Sequence, residues 1–267
     1  MTTVDAQFAG QLPHCYELYL VPLLFDPYAR DLAGRAAGLA PRQVLEIAAG
    51  TGVVTRHLAA ALPSARIVAT DLNPDMLAIG SATALPQVSW QLADAAQLPF
   101  SDAGFDLVLC QFGAMFFPDR PQAFAQARRV LRPGGRFLFN VWDPLPANAF
   151  AAGVQAAMEE LFPDDPPGFF ARTPHGYHDK AAIVRDLAAA GFTSPPDIET
   201  VALQSSAASA ADVAAGFCQG TPLRSEIEAR GHSPESASAF AARHLEQRYG
   251  KGPVRGAMRA HVISVAA

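Results

Sequence analysis

The sequence predicts an α/β fold in which a seven-stranded, mostly parallel sheet carries helices on both faces, with an N-terminal helical lid and an inserted cap. Short apolar, β-rich runs alternate with helical segments from residue 44 to residue 142, as consecutive strand-helix-strand units require. Turn residues mark the boundaries. Asn73-Pro74 places a capping residue before a proline at the first helical position, and L-R-P-G-G-R-F at 131–137 ends a helix and turns into a strand.

The predicted elements follow one another in a regular order. The predicted strands cover 44–47, 66–71, 88–92, 105–111, 136–142, 197–204 and 254–265. The predicted helices cover 16–37, with a break near Pro22 and Pro27, then 52–62, 74–83, 119–131 and 179–190, and a mostly helical stretch at 209–249. In that last stretch, Ser233-Pro234-Glu235 predicts a helix start and Gly250 a helix stop.

Composition narrows the class of protein. Half of the 267 residues are apolar, which allows a sizeable core, and the net charge of −5 comes without a basic run that would attract nucleic acid. The expected partner is therefore a small molecule. Three scattered cysteines favour neither a disulfide framework nor a zinc site, and the apolar run at 18–25 is short and broken by Pro22, so we expect no transmembrane segment. We predict a cytoplasmic protein and leave its oligomeric state open.

One stretch carries the functional information. The run V-L-E-I-A-A-G-T-G, from Val44 to Gly52, is followed about 20 residues later by Asp71 at the end of a second apolar run. A strand, a glycine turn, a helix and a second strand ending in a carboxylate form a nucleotide-binding unit. The dinucleotide spacing G-x-G-x-x-G would need a third glycine where Thr55 stands, and Glu46 lies inside the first strand instead.

These residues resemble the class I S-adenosylmethionine-dependent methyltransferases, in particular the small-molecule group similar to the ubiquinone/menaquinone biosynthesis enzymes. The first motif of that family reads E-x-G-x-G-x-G, which Glu46, Ala48, Gly50 and Gly52 match with an alanine in place of the first glycine. The resemblance implies a Rossmann-like fold and transfer of a methyl group from S-adenosylmethionine to a small-molecule acceptor by in-line displacement, with S-adenosylhomocysteine as product.

Length, composition and the order of the predicted elements, taken together with the resemblance, predict a division of the chain. We expect a single methyltransferase domain over 1–267, with the lid at 1–40 and the cofactor-binding core at 41–143. The proline- and aromatic-rich stretch at 144–178 and the stretch at 207–250 are expected to be insertions on the substrate side, the first over the carboxyl edge of the sheet.

The resemblance assigns the cofactor-binding residues. Glu46 lies close to the ammonium group of the cofactor, Asp71 binds the ribose hydroxyls, and Leu72 packs against adenine. Asp94 and the backbone of Ala95 bind the adenine edge, and Gln111 lies beside the sulfonium. Because aromatic faces attract cations, Tyr16 and Tyr19 are added as cofactor contacts. The complete predicted set is Glu46, Ala48, Gly50, Gly52, Asp71, Leu72, Asp94, Ala95, Gln111, Tyr16 and Tyr19.

The acceptor side has weaker signals. Phe112, Met115 and Phe116 after the fourth strand and Trp142 at the end of the fifth are predicted to border the substrate. The candidate general bases are His175 and His178, with Asp143 as a third. The spacing H-G-Y-H lacks a nearby acid in a helical frame, so we predict no metal site.

Two other functions stay open at this point. One is an NAD(P)-dependent oxidoreductase on a related fold, against which Thr55 and the absence of a Y-x-x-x-K pair weigh. The other is a non-catalytic protein that binds S-adenosylmethionine or serves regulation, which a complete set of cofactor positions does not exclude.

Overall fold

A computed structural model describes residues 5, 8 and 10–267. Residues 1–4, 6, 7 and 9 of the predicted lid lie outside the described part. The helices and strands are, in chain order, α1 (Leu12–Cys15), a π-helix (Tyr16–Phe25), α2 (Asp26–Gly38), β1 (Gln43–Ile47), α3 (Val53–Ala61), β2 (Arg66–Asp71), α4 (Pro74–Ser81), β3 (Val88–Leu92), β4 (Phe105–Gln111), α5 (Arg120–Val130), β5 (Leu131–Trp142), α6 (Ala149–Leu161), α7 (Phe169–Arg172), α8 (Lys180–Ala189), β6 (Asp197–Ala207), α9 (Ala210–Gln219), α10 (Leu223–Ala229), α11 (Pro234–Tyr249) and β7 (Val254–Ala266).

The strands form one seven-stranded sheet in the order β3-β2-β1-β4-β5-β7-β6. The pairs β3-β2, β2-β1, β1-β4 and β4-β5 are parallel. The order reverses between β1 and β4, and ligands of open α/β sheets bind at the carboxyl ends of the strands beside such a reversal. The predicted fold class is confirmed, and the candidate site lies at this edge of the sheet.

Most predicted strands agree with the structure, and β5 shows the main difference. It begins at Leu131 rather than at residue 136, because Leu131 pairs with Phe105 across a shift in register before Leu107 pairs with Arg136. The four residues between, 132–135, lie opposite Asp106 alone and form an irregular segment of the strand, where local sequence signals indicate a turn. Gly134 has a positive φ of 77° there.

The predicted break near Pro22 and Pro27 is wrong. The chain stays helical from Leu12 to Gly38, and Tyr16–Phe25 winds as a π-helix with Pro22 inside it. The N–H of Asp26 donates to the carbonyl oxygen of Val21, a span of five residues. Proline lacks an N–H and crowds the preceding turn, and the wider π-turn accommodates both effects without ending the helix.

The predicted insertion at 144–178 contains a helix that the sequence analysis missed. Prolines are concentrated at both ends of this stretch, and between them the alanine-rich run A-F-A-A-G-V-Q-A-A-M-E-E-L forms α6. Its buried residues include Phe150, Val154 and Met158, which recur at helical spacing. The predicted start of α11 is confirmed, since Ser233 caps it by accepting from the N–H of Ser236, and Gly250 ends it.

The described chain divides into two compact units. The helical unit comprises the described residues up to Pro27, Trp142–Gly176 and Ala202–Arg259. The sheet unit comprises Tyr28–Val141, Tyr177–Val201 and Ala260–Ala267. The rings of Phe124, Phe137 and Phe139 cluster in the core of the sheet unit, with Phe137 stacked on Phe139. In the helical unit α11 packs against α6 and α9. None of the helices formed by residues 5, 8 and 10–267 combines the length and the apolar character that crossing a membrane would require.

Candidate active site

The turn after β1 has an unusual backbone conformation. Ala48, Gly50 and Gly52 have φ angles of 54°, 57° and 83°, all in the left-handed region. Glycine adopts this region freely, whereas an alanine costs about 1 kcal/mol there. The alanine that replaces the first glycine of the motif therefore keeps a glycine-like conformation. The turn leads into α3, and the indole of Trp90 packs against Gly52.

Asp71, at the end of β2, ties this turn to the next one. Its Oδ2 accepts from the N–H of Gly50 at 2.8 Å, and its Oδ1 accepts from the N–H of Asn73 at 2.8 Å and from the Asn73 amide nitrogen at 3.3 Å. Burial raises the pKa of Asp71, while the Asn73 and Gly50 donors act in the opposite direction. Asn73 occupies the N-cap position of α4 without a side-chain capping bond. Asp71 is thus a structural tie as well as a candidate ligand for ribose.

Glu46 has a partner within the chain. The hydroxyl of Thr55 donates to its Oε2 at 2.6 Å, and both side chains are buried. Burial raises the pKa of Glu46 to about 8, against the effect of the Thr55 hydrogen bond, and the charge of Asp71 raises it further. Thr55 stands where a dinucleotide-binding turn has its third glycine, so the position that distinguishes the two motifs serves here to hold the acid of β1.

Two exposed leucines lie at the carboxyl ends of β2 and β3. Leu72 and Leu92 are 57% and 56% exposed, and Leu92 is the register partner of Asp71 on β3. Asp94, just after β3, is exposed, and its Oδ1 accepts from the N–H of Ala96 at 2.8 Å. Exposed leucines beside a carboxylate suit a flat ligand that carries polar groups at its edge.

The end of β4 is held by a residue that the sequence analysis missed. Asn140 of β5 is in register with Gln111, and its Oδ1 accepts from the N–H of Phe112 at 2.9 Å. Phe112 has a φ of 51° and is buried against Tyr28, with ring centroids 5.3 Å apart. Met115 is buried as well, whereas Phe116 is half-buried. The substrate-side roles of all three stay predictions.

The turn that carries Met115 and Phe116 is anchored by a second missed residue. Arg120 donates to the carbonyl oxygens of Ala114 and Met115, and its guanidinium lies 4.1 Å from the ring centroid of Tyr177. No local signal in the sequence marks Arg120 for this contact.

Five of the predicted site residues belong to the helical unit: Tyr16, Tyr19, Trp142, Asp143 and His175. There the rings of Tyr16, Phe25, Trp142 and His175 follow one another, with centroid distances of 4.8, 6.3 and 6.1 Å between neighbours. The half-buried Tyr19 packs toward Gly216 of α9. All other predicted cofactor residues, including Gln111, lie in the sheet unit.

The two histidines differ in surroundings. His175 is buried, and its Nδ1 lies 2.9 Å from the carbonyl oxygen of Asp143. His178 is exposed and lies in the sheet unit. The Asp143 carboxylate is paired with Arg259, so the idea of Asp143 as a third base is not supported. Among the described residues, no group of three or more His, Cys, Asp or Glu side chains would hold a metal ion.

The residues of the sheet unit fit the adenosyl group of S-adenosylmethionine. Three neighbouring strands each bring an acidic residue to this region: Glu46 lies in β1, Asp71 ends β2 and Asp94 follows β3. Such a set suits a ligand that carries a cation and several hydroxyl and amino donors. The buried hydroxyl of Thr51, in the turn itself, has no hydrogen-bond partner among the described residues. The exposed leucines supply an apolar surface for a base.

Comparisons with known proteins agree with this geometry. A family model described as "Methyltransferase domain" matches residues 44–135. A demethylmenaquinone methyltransferase of Deinococcus radiodurans is 34% identical over 139 residues, which cover 51% of this chain and 58% of that protein. One of Mycolicibacterium paratuberculosis is 34% identical over 178 residues, which cover 62% of this chain and 75% of that protein. The chain thus spans just over half the length of the first relative and three quarters of the other.

A solved structure shows the same fold. It is the phosphoethanolamine N-methyltransferase 2 of Haemonchus contortus in complex with phosphomonomethylethanolamine and S-adenosylhomocysteine. The TM-score is 0.60 at 15% sequence identity, over 100% of this chain and 61% of that one. Together with the motif, the strand order and the sequence relatives, this likeness leads to one conclusion. The chain belongs to the class I S-adenosylmethionine-dependent methyltransferases, in the group similar to the ubiquinone/menaquinone biosynthesis methyltransferases.

Proposed function

We propose that this protein transfers a methyl group from S-adenosylmethionine to a small, largely apolar and aromatic acceptor. The observation that carries the proposal is the left-handed turn from Ala48 to Gly52, which is bonded to Asp71 and flanked by Glu46 and Asp94. Bound S-adenosylmethionine supplies a methyl group on a positively charged sulfur, and an electron pair of the acceptor displaces that sulfur in line. Much of the acceleration then comes from alignment of the two reactants.

Each residue of the sheet unit has a role in binding that cofactor. Leu72 and Leu92 pack against adenine, and the carboxylate of Asp94 accepts from its amino group. Asp71, whose two oxygens already accept from Gly50 and Asn73, also accepts from a ribose hydroxyl. Glu46 loses its proton and pairs with the ammonium group of the methionine part.

The acceptor class is inferred from the sequence relatives. The sequence relatives are named demethylmenaquinone methyltransferases. A reduced demethylmenaquinone analogue is therefore the first acceptor to test.

His175 is the general base in this proposal. A backbone carbonyl only accepts, so the Nδ1 that faces the Asp143 carbonyl oxygen carries the proton, and Nε2 has the lone pair that takes a proton from the acceptor. His178 is assigned no more than a surface role, because it is exposed.

The free thiols of Cys15, Cys110 and Cys218 are compatible with the predicted cytoplasmic location.

The two alternatives are less well supported. A dinucleotide brings two negative phosphates to the first turn, and Glu46 and Asp71 are the groups that would meet them. The relatives described above carry methyltransferase names. A non-catalytic binding protein would share the cofactor residues but would release no S-adenosylhomocysteine from S-adenosylmethionine in the presence of any acceptor.

Titration calorimetry with S-adenosylhomocysteine tests the cofactor assignment. We expect binding to weaken at least about tenfold in Asp94→Ala and in Leu72→Ser, because each removes one contact with adenine. Asp102→Ala is the matched control, since Asp102 is an exposed carboxylate of the same unit in the loop before β4. Asp71→Ala is a poorer test, because it also releases Gly50 and Asn73. Binding of NAD instead, or equal affinities in all variants, would overturn the assignment.

Turnover tests the reaction and the base. With S-adenosylmethionine and reduced demethylmenaquinone, the wild type should release S-adenosylhomocysteine and form a methylated product detectable by mass spectrometry. His175→Gln should lower kcat with little change in the affinity for S-adenosylhomocysteine. His178→Gln should leave both unchanged.

A further inference from the structure

The amino edge of the sheet unit contains a cavity that the proposed methyl transfer does not use. Its volume is about 410 Å³, within the range of roughly 300–1,000 Å³ that ligand pockets occupy. It lies where the chain enters β1, β4 and β5, at the opposite ends of these strands from the candidate active site. Its walls come from the segments 39–42 and 132–136 and from Asp106.

The walls carry an excess of positive charge. Three arginines, Arg42, Arg132 and Arg136, line the cavity against a single carboxylate, Asp106, which gives two positive charges in excess. The whole chain has a net charge of −5, so this concentration of arginines runs against the overall charge of the protein. Guanidinium groups recognise oxyanions through paired N–H donors.

The single carboxylate, Asp106, already has hydrogen-bond and ion-pair partners within the chain. Asp106 Oδ2 accepts from the N–H groups of Arg42 and Gln43, at 2.9 and 2.8 Å, and Oδ1 pairs with Arg132 at 2.6 Å. Burial acts to raise the pKa of Asp106, but these donors outweigh it and the pKa lies below its ordinary value. Asp106 therefore stays ionised, neutralises Arg132 and fixes the starts of β1 and β5 around the cavity.

The other two arginines lack a carboxylate partner among the described residues. Arg136 donates to the hydroxyl of Ser264 at 3.2 Å, a neutral acceptor. The Arg42 side chain enters into none of the hydrogen bonds or ion pairs formed within residues 5, 8 and 10–267. The backbone of this region is bent to form the walls, with φ angles of 46° at Ala40 and 77° at Gly134.

We propose that this cavity, which we term the amino-edge cavity, binds a small multivalent oxyanion between Arg42 and Arg136. The ligand carries either phosphate or several carboxylates, since both present the charged oxygens that a guanidinium binds in pairs. The site is independent of the cofactor site, so the proposal stands or falls without the proposed methyl transfer.

Calorimetry at fixed ionic strength tests it, with inorganic pyrophosphate in one arm and citrate in the other. We expect at least one of them to bind the wild type, and its affinity to fall about tenfold or more in the double variant Arg42→Gln, Arg136→Gln. The arm that binds identifies the oxyanion as phosphate or polycarboxylate.

Arg66→Gln is the matched control, because Arg66 is an exposed arginine that begins β2 at the same edge without lining the cavity. It should bind the anion as the wild type does. Far-ultraviolet circular dichroism and thermal unfolding check that each variant is folded. The proposal is overturned if neither anion binds the wild type, or if the double variant and Arg66→Gln lose affinity equally. Binding of S-adenosylhomocysteine, measured in the same samples, reports separately on the cofactor site.

Discussion

Ala48 and Gly113 form a close complementary pair. A Cβ atom placed on Gly113 would stand 2.5 Å from the Cβ of Ala48 and 2.8 Å from the Sγ of Cys110. Real Cβ atoms do not approach other atoms so closely. The alanine that replaces the first glycine of the motif, after β1, is thus accommodated by a glycine after β4, on the neighbouring strand.

Gly113→Ala should therefore destabilise the protein, by about 1–3 kcal/mol, because the added methyl group overpacks a buried turn. The reverse change Ala48→Gly in the same chain should recover part of this loss, since it removes the atom that clashes. Urea unfolding of the two single variants and the double variant gives the coupling energy.

Gly34→Ala is the control for this pair. Gly34 lies in α2 with nothing within 4 Å of an added Cβ, so alanine should stabilise the helix by roughly 0.5–1 kcal/mol. An equal effect of Gly113→Ala in the wild type and in the Ala48→Gly background would contradict the packing argument.

Gly80→Ala should also destabilise the protein, although Gly80 is inside α4, where alanine is normally favoured. An added Cβ would lie 2.6 Å from the indole of Trp90, which also lies against Gly52. We expect a loss of about 1–3 kcal/mol, reversed in sign when Trp90 is replaced by valine. The measurement is urea unfolding, and an unchanged loss in the Trp90→Val background would refute this account.

Glu46→Gln should change stability in a pH-dependent way. The pKa of Glu46 is about 8 in the folded chain against 4.5 as its ordinary value. Its contribution to stability is fully present below pH 4.5 and is lost as the pH rises through 8. The glutamine side chain keeps an acceptor for Thr55 and does not titrate, so the variant should gain on the wild type between pH 5 and pH 8, by an amount on the order of a few kcal/mol.

Denaturant unfolding of both proteins at pH 5, 6.5 and 8 measures this gain. Thr55→Val provides a second variant, because removing the hydrogen bond that lowers the pKa of Glu46 should extend the loss of stability to pH values above 8, which one further measurement at pH 9 detects. A constant difference in stability between the wild type and Glu46→Gln across this range would show that Glu46 keeps its ordinary pKa.

Asn140→Leu should cost about 0.5–1.5 kcal/mol, because it removes the nearer of two acceptors of the buried Phe112 N–H and leaves the backbone carbonyl oxygen of residue 140, at 3.3 Å, as the other. The loss should be accompanied by faster amide exchange at Phe112, which a general effect of lost volume would not single out. Gln122→Leu is a matched control: its amide is exposed and reaches the Ala96 carbonyl oxygen at 3.3 Å. It should stay within roughly 0.5 kcal/mol of the wild type.

The sequence was a good guide wherever the determinants of structure are local. The runs at 66–71, 88–92 and 105–111 have the apolar, β-rich composition of strands, and both ends of each agree with the structure. Helix α6 was missed because the prolines and aromatic residues around it hid an alanine-rich run. The π-helix was missed because residues 16–25 have the composition of an ordinary α-helix. Only one residue, Pro22, distinguishes this segment from such a helix.

Contacts between distant residues had no such signal. Arg259 pairs with Asp143 across 116 residues, and Asn140 reaches Phe112 across 28. Nothing near Asp143 in the sequence distinguishes a paired carboxylate from a candidate base. The hydrogen bond between Thr55 and Glu46 was also not predicted. The sequence marks Glu46 as a motif position, but it marks Thr55 only as the residue that replaces a glycine.

The hydrogen bonds of Asp71 to Gly50 and Asn73 have a consequence for ligand entry. The two loops that Asp71 joins are held in place by the chain itself, so a nucleoside that binds against them meets a partly preorganised surface. The entropy cost of ordering these two loops is then met when the protein folds, and not when the ligand binds.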